Sequence, residues 1–174
     1  MSYVGEHAWA GDLGRLLVAL SFVWATFSSV AYALHLRRPQ SHWLATARWS
    51  FRLHALAVVG IVAVLFVAIW NHWFEFDYVW RHSSTDLPLR YIFSCFWEGQ
   101  EGSFLLWTFW QAVLGWILIH KSHEWEAGVM LTVAAVQAFL SSMLLGVYVF
   151  GIKLGSSPFV LIRDLPENLG LPWT

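Results

Sequence analysis

The chain has 174 residues, of which 58% are hydrophobic, 18% aromatic and only 12% charged. This apolar share is well above that of soluble domains, and it excludes a soluble enzyme because no polar domain remains to hold an active site. The formal net charge of −1 excludes a polybasic protein, so no nucleic-acid partner is expected. The single cysteine, Cys95, excludes an intrachain disulfide and a CxxC redox pair.

Long apolar runs predict an all-α membrane protein with four transmembrane helices. In chain order we predict a tail at 1–12, helix 1 at 13–36, a basic loop at 37–52, helix 2 at 53–71, an acidic loop at 72–102, helix 3 at 103–120, a turn at 121–126, helix 4 at 127–152 and a tail at 153–174. Helix 1 is not a cleaved signal peptide, because acidic residues precede its apolar core and Arg37 and Arg38 follow it.

Loop charges predict how the helices are oriented. Residues 37–52 contain four arginines and no acidic residue, whereas 72–102 contains two arginines and five acidic residues. The positive-inside rule therefore places the basic loop in the cytoplasm. The acidic loop between helices 2 and 3 and both termini are then expected outside.

Small and polar residues predict how the helices associate, because apolar surface alone does not hold helices together in lipid. Two glutamines, Gln111 and Gln137, fall at similar depth in helices 3 and 4. We expect them to hydrogen-bond, at about 0.6–2 kcal/mol; the alternative is a separate backbone partner for each. Small residues recur every four positions in helices 1 and 4, at Ser21, Ala25, Ser29, Ala33 and at Ala134, Ala138, Ser142, Gly146.

The segment WEGQEGSFLLW, residues 97–107, joins the acidic loop to helix 3. Gly99 and Gly102 allow backbone angles closed to other residues, and Gly102 or Ser103 can cap the helix. Glu101 then faces the positive end of the helix, which stabilises a carboxylate by roughly 0.3–1 kcal/mol. The pattern predicts a rigid, negatively charged docking turn, although any well-capped membrane helix can begin this way.

The order of residues in this region matches a known family at many spaced positions. In the turn and the helix they are Trp97, Gly99, Glu101, Gly102, Ser103, Leu105, Leu106 and Trp107. The pattern continues upstream at Asp77, Tyr78, Val79, His82, Ser83, Leu87 and Pro88, and downstream at Ser157, Pro158 and Phe159. Over nearly its whole length the chain resembles the CcmF-type cytochrome c haem lyase family. It departs at Glu98, where a small residue is more usual.

The resemblance implies the N-terminal portion of such a lyase, in the bacterial cytoplasmic (inner) membrane with its N-terminus outside. The resemblance also implies that the lyase receives haem from a haem chaperone and delivers it to apocytochrome c on the outer face. There thioether bonds form between haem and the CxxCH cysteines of the apocytochrome. Its haem-ligating histidines and tryptophan-rich WWD segment lie in later parts of a longer polypeptide. Haem is therefore expected to be bound by the full assembly, with the remaining spans and membrane lipid as partners, and not by ligands in this chain.

Within this scheme the candidate site is a haem platform or a partner-docking surface, formed by Trp97, Gly99, Glu101, Gly102, Ser103, Trp107 and His82. No catalytic residue and no metal ligand is predicted. Most of the eight histidines lie away from the acidic loop, and His54 is expected to begin helix 2. The alternative function is a non-catalytic four-helix membrane subunit that assembles with respiratory or transport partners, which composition fits equally well.

Overall fold

The computed structural model describes residues 5–149 and 152–165, and helices dominate this part of the chain. The long helices are α1 (Ala8–Arg37), α2 (Ser41–Trp70), α5 (Gln100–Lys121) and α6 (Glu126–Leu145). Two short helices, α3 (Asp77–His82) and α4 (Leu89–Glu98), lie in the connection between α2 and α5. A hairpin of β1 (Val147–Val149) and β2 (Ile152–Leu154) follows α6.

The predicted class is confirmed at the level of helices: within the described residues, four helices are long and apolar enough to cross a membrane. Their ends differ from the predicted ones. The second begins at Ser41 and not at 53, because the basic segment continues the helix. The last ends at Leu145 and not at 152, because Gly146 takes a left-handed φ of 71° and closes the helix. The predicted tails include residues 1–4 and 166–174, which lie outside the described part.

The helix α1 packs between α2 and α6, while α5 packs against both α2 and α6. We call the two ends of the bundle the loop end, which carries residues 71–99, and the basic end, which carries 37–48. At the loop end two glycines of α1, Gly11 and Gly14, let neighbouring aromatic rings approach the helix backbone. A Cβ on Gly14 would lie 2.5 Å from the Phe159 ring, and one on Gly11 would lie 3.0 Å from Phe76. The segment after β2 therefore packs directly on the α1 backbone.

Buried polar groups connect three helices in the middle of the bundle. The Oγ atom of Ser21 lies 2.9 Å from Ser141 Oγ, and His54 Nδ1 lies 2.9 Å from the Ser21 carbonyl oxygen. All three side chains are fully buried. The expectation that His54 begins the second helix is therefore wrong, since α2 starts well before it and turns it towards α1.

The predicted bond between Gln111 and Gln137 does not form. Instead, Gln137 Nε2 donates to the Thr108 carbonyl oxygen at 3.0 Å, and Gln137 Oε1 has no protein partner among the described residues. The two glutamines lie at similar depth in their helices, but depth does not determine how each helix is rotated about its axis. Gln111 is only half-buried, whereas Gln137 faces the α5 backbone. The alternative of a separate backbone partner is therefore the observed one for Gln137.

Candidate functional site

The loop end brings together three separate parts of the chain. Backbone bonds join the start of α3 to the segment after β2: the Asp77 amide donates to the Val160 carbonyl at 3.0 Å, and the Ile162 amide donates to the Glu75 carbonyl at 2.9 Å. The N-terminal residues join through His7, whose Nδ1 lies 2.8 Å from Glu75 Oε1. Both described ends of the chain therefore fix the position of the loop.

Tyr78 is the centre of the loop-end packing. Its hydroxyl group, on α3, donates to the Phe96 carbonyl oxygen at the end of α4 at 2.8 Å. The Tyr78 hydroxyl oxygen also accepts a bond of 3.3 Å from the amide of Gly99, the N-cap residue of α5. Burial raises the pKa of the Tyr78 hydroxyl, so the group stays protonated and can serve as this donor. One side chain thus links all three helices.

Gly99 and Gly102 are needed for space, and not for the unusual backbone angles that the sequence predicted. Gly99 has φ −85° and ψ 166°, which any residue adopts. A Cβ at Gly99 would lie 2.6 Å from the Tyr78 ring and 2.8 Å from the His82 ring. A Cβ at Gly102 would collide with the Phe96 carbonyl oxygen and the Tyr78 hydroxyl. Both glycines therefore let the start of α5 pack closely against Tyr78 of α3, and Gly102 also allows close approach to the end of α4.

The helix cap also differs from the predicted one. α5 begins at Gln100, with Gly99 as its N-cap and no side-chain cap. Ser103 does not cap the helix, because its Oγ donates to the Trp97 carbonyl oxygen at 2.9 Å. Glu101 does lie in the first turn, where the helix dipole favours a carboxylate. The Ser103 side chain therefore links α5 to α4 and does not cap the backbone amides at the start of α5.

A polar pocket of about 210 Å³ opens beside Tyr78. Its lining residues come from α3, α5 and the segment after β2, and they are Asp77, Tyr78, Arg81, His82, Glu101 and Ser157. Arg81 Nε donates to Asp77 Oδ1 at 2.7 Å, and His82 Nδ1 lies 2.9 Å from the Tyr78 carbonyl oxygen. Since a carbonyl only accepts, His82 donates through Nδ1. Two predicted site residues, His82 and Glu101, thus meet in one pocket.

The two predicted tryptophans lie outside this pocket. Trp97 lines a separate depression of about 310 Å³, together with Tyr91 and Cys95. Trp107 is 59% exposed and its ring is perpendicular to that of Phe104, with the ring centroids 5.8 Å apart. Both present aromatic surface outward, so the predicted site divides into a polar pocket and exposed aromatic side chains.

Sequence reasoning did not assign Asp77, Tyr78, Arg81 or Ser157 to the site. The signal was present for three of them, since Asp77, Tyr78 and Ser157 belong to the family pattern. For Arg81 the only signal was its position four residues after Asp77, a spacing that allows an ion pair on one helix. What the sequence lacked was the packing that brings residue 157 beside α3.

The pocket does not fit a haem group. Its volume is below the ~300–1,000 Å³ typical of small-molecule pockets. Within the described residues, no three His, Cys, Asp or Glu side chains are arranged to hold a metal ion. Burial raises the pKa of the nearby Cys95 thiol, which donates to the Tyr91 carbonyl oxygen and therefore is a poor nucleophile. The pocket has room for a single side chain of a partner.

Four long apolar helices with buried polar groups between them define a multi-pass helical membrane protein. No protein-family model matches the chain. The chain is 28% identical to the cytochrome c-type biogenesis protein CcmF of Haemophilus influenzae over 167 residues, which are 94% of the chain and 23% of that protein. It is 30% identical to CcmF of Pseudomonas fluorescens over 100 residues, 56% of the chain and 15% of that protein.

A solved structure named cytochrome c haem lyase CcmF has the same fold. It superposes with a TM-score of 0.76 at 22% identity, over 87% of this chain and 26% of that one. The predicted resemblance is therefore confirmed: the chain is CcmF-like in sequence and in fold. It spans about a quarter of the length of the H. influenzae relative.

Proposed function

We propose that the chain is the amino-terminal membrane part of a cytochrome c maturation haem lyase, and that it helps to deliver haem to apocytochrome c outside the membrane. One observation carries this proposal. Residues of the family pattern that are distant in sequence, namely Tyr78, Gly99, Gly102 and Ser157, lie around a single pocket and its supporting contacts. A shared sequence pattern that converges on one surface favours a shared use of that surface.

Haem is the cargo in this proposal, and ligands in the rest of the assembly hold it. The part played by this chain is to present a surface. Glu101 and Asp77 give the pocket negative charge, and Arg81 keeps the Asp77 carboxylate in place through their bond of 2.7 Å. Trp97 and Trp107, which are exposed outside the pocket, provide flat apolar contacts. The partners proposed for this surface are apocytochrome c, the haem chaperone and the remaining spans.

The Glu101→Lys substitution is expected to lower cytochrome c maturation several-fold while the membrane level of the protein stays unchanged. Glu101 is half-buried in the pocket wall, so a lysine there places a second cation near Arg81 and reverses the charge offered to a partner. The measurement is covalent haem in cytochrome c, beside the amount of lyase in membranes.

The matched control for this experiment is Asp86→Lys. It makes the same charge change in the same acidic loop, but its exposed side chain lines neither the polar pocket nor the depression beside Trp97. Maturation in this variant should stay near the wild-type level. Unchanged maturation in Glu101→Lys would refute the docking role, and equal losses in both variants would assign the effect to the net charge of the loop.

The proposed location is the bacterial cytoplasmic (inner) membrane, with the loop end outside. Support comes from the four arginines of 37–52 and from the contacts that join residues 5–7 and 155–165 to the same end as the acidic loop. In a Cys95→Ser background, Ser84→Cys in the exposed loop should react with a membrane-impermeant maleimide on intact spheroplasts. Glu124→Cys, in the exposed turn at the basic end, should react only after permeabilisation. The reverse labelling pattern would overturn the orientation.

A further inference from the structure

An apolar groove runs between α2 and α5 on the surface of the bundle. It encloses about 530 Å³, within the range of small-molecule pockets. Its floor contains two small buried residues, Ala55 and Ala112. Its rims are large apolar side chains such as Leu56, 67% exposed, and Ile117, 49% exposed. A narrow floor between bulky rims suits an extended hydrocarbon chain better than a helix, which is ~10 Å wide with its side chains.

A single cation, Arg52, lies at one end of the groove. Its guanidinium carbon is 5.0 Å from the centroid of the Trp49 ring and 5.9 Å from that of Trp116. In the described part of the chain no carboxylate lies within ion-pair distance of it. Arg48, one turn earlier, is paired with Glu126 and provides the contrast. Both indole rings lie within cation–π distance of the guanidinium, and its N–H donors carry no ion pair with a described carboxylate, which leaves them for an anion.

The position of Arg52 along α2 matches the level of lipid phosphates. Trp70, at the other end of the helix, is exposed as membrane-interface tryptophans usually are. Arg52 lies about 27 Å from it at ~1.5 Å per residue, which is close to the ~30 Å thickness of the hydrocarbon core. The groove therefore crosses one leaflet and ends with a cation at the depth of the headgroups.

We propose that this groove binds one anionic phospholipid, with an acyl chain between α2 and α5 and the phosphate on Arg52. The unpaired cation at headgroup depth selects the negative charge, and the apolar slot holds the chain. In the orientation proposed above the lipid belongs to the cytoplasmic leaflet. The binding itself depends only on insertion in a membrane and not on haem delivery, so the two proposals can fail separately.

The test is lipid retention by the protein purified from membranes in mild detergent, measured by native mass spectrometry with added phosphatidylglycerol or phosphatidylethanolamine. Wild-type protein should retain one phosphatidylglycerol in preference to phosphatidylethanolamine. Arg52→Gln should lower phosphatidylglycerol retention by about tenfold, because it removes a charge-assisted, two-point contact. Arg38→Gln makes the same charge change at the basic end, outside the groove, and should leave retention unchanged.

A second variant keeps the test decisive if Arg52→Gln fails to fold. Val59→Trp fills the groove from an exposed position without changing charge, and it should lower retention of both lipids. Wild-type retention in either folded variant would overturn the proposal, as would an equal loss in Arg38→Gln. Cross-linking of Val59→Cys to another transmembrane span in the intact assembly would also overturn it, by showing that protein fills the groove.

Discussion

The Gly102→Ala substitution is expected to destabilise the protein by about 2–5 kcal/mol, the combined scale of overpacking and of losing a buried hydrogen bond. The new Cβ would occupy the space of the Phe96 carbonyl oxygen and the Tyr78 hydroxyl. One contact is with backbone, so no side-chain rotation can relieve the clash. Either α5 moves away from α4, or the Tyr78 to Phe96 bond breaks and leaves buried polar groups unsatisfied. The melting temperature of the purified protein measures the loss.

Gly128→Ala is the matched control for Gly102→Ala. Gly128 also lies near the start of a long helix, α6, but no atom lies within 4 Å of a Cβ placed there. Because alanine favours the helix over glycine, this variant should be stabilised by up to about 1 kcal/mol. A Gly102→Ala protein that melts at the wild-type temperature would show that the loop end does not depend on this close approach.

The four long helices could be predicted from sequence because apolar length alone specifies a membrane span. Rotation about each helix axis could not be predicted so well. Ser21 and Ala25 of the proposed small-residue row are buried, but Ser29 and Ala33 are only half-buried, and the buried face continues through Ser28. An α-helix has 3.6 residues per turn, so residues spaced exactly four apart drift gradually around the helix axis. The later members of the row therefore no longer lie on the buried contact face. The same rotation separates Gln111 from Gln137.

The candidate site could be predicted only in part, again because helix packing was not known. The sequence predicted Gly99, Glu101 and Gly102 as site residues, and the structure shows close packing at both glycines. The reason it gave was wrong, because the neighbours that require glycine are Tyr78 and the Phe96 carbonyl group. Tyr78 lies more than 20 positions before both glycines, and the Phe96 carbonyl belongs to another helix, so these contacts depend on how α3, α4 and α5 pack. Local turn chemistry does not contain that information.

The buried charges at the basic end were also hidden from sequence. Arg48 was simply one of four loop arginines, and Glu126 was the last residue of a polar turn. In the structure the side chain of Glu126 is 5% exposed, and it accepts bonds of 2.7 Å from Arg48 Nε and 2.5 Å from Arg48 Nη2. Tyr32 on α1 donates to the same carboxylate at 3.3 Å. The group therefore joins α1, α2 and α6.

Arg48→Ala should consequently destabilise the protein by about 3 kcal/mol, the lower part of the range for breaking a buried ion pair, because the arginine side chain is itself 39% exposed. Most of this loss comes from leaving the Glu126 carboxylate buried without its cation. Arg38→Ala removes a positive charge from the same end, where the side chain is exposed, and should cost less than about 0.5 kcal/mol. Melting of the purified proteins compares the two.

A double-mutant cycle separates the ion pair from other effects of Arg48→Ala. If the carboxylate causes the loss, Glu126→Gln should make the later removal of Arg48 much less costly, because a neutral amide is cheaper to bury. Equal costs of Arg48→Ala in the two backgrounds would mean that the arginine acts through the packing of its aliphatic stem. A large coupling between the two residues would identify this pair as the contact that holds α6 against α2, since these helices otherwise meet mainly through α1 and α5.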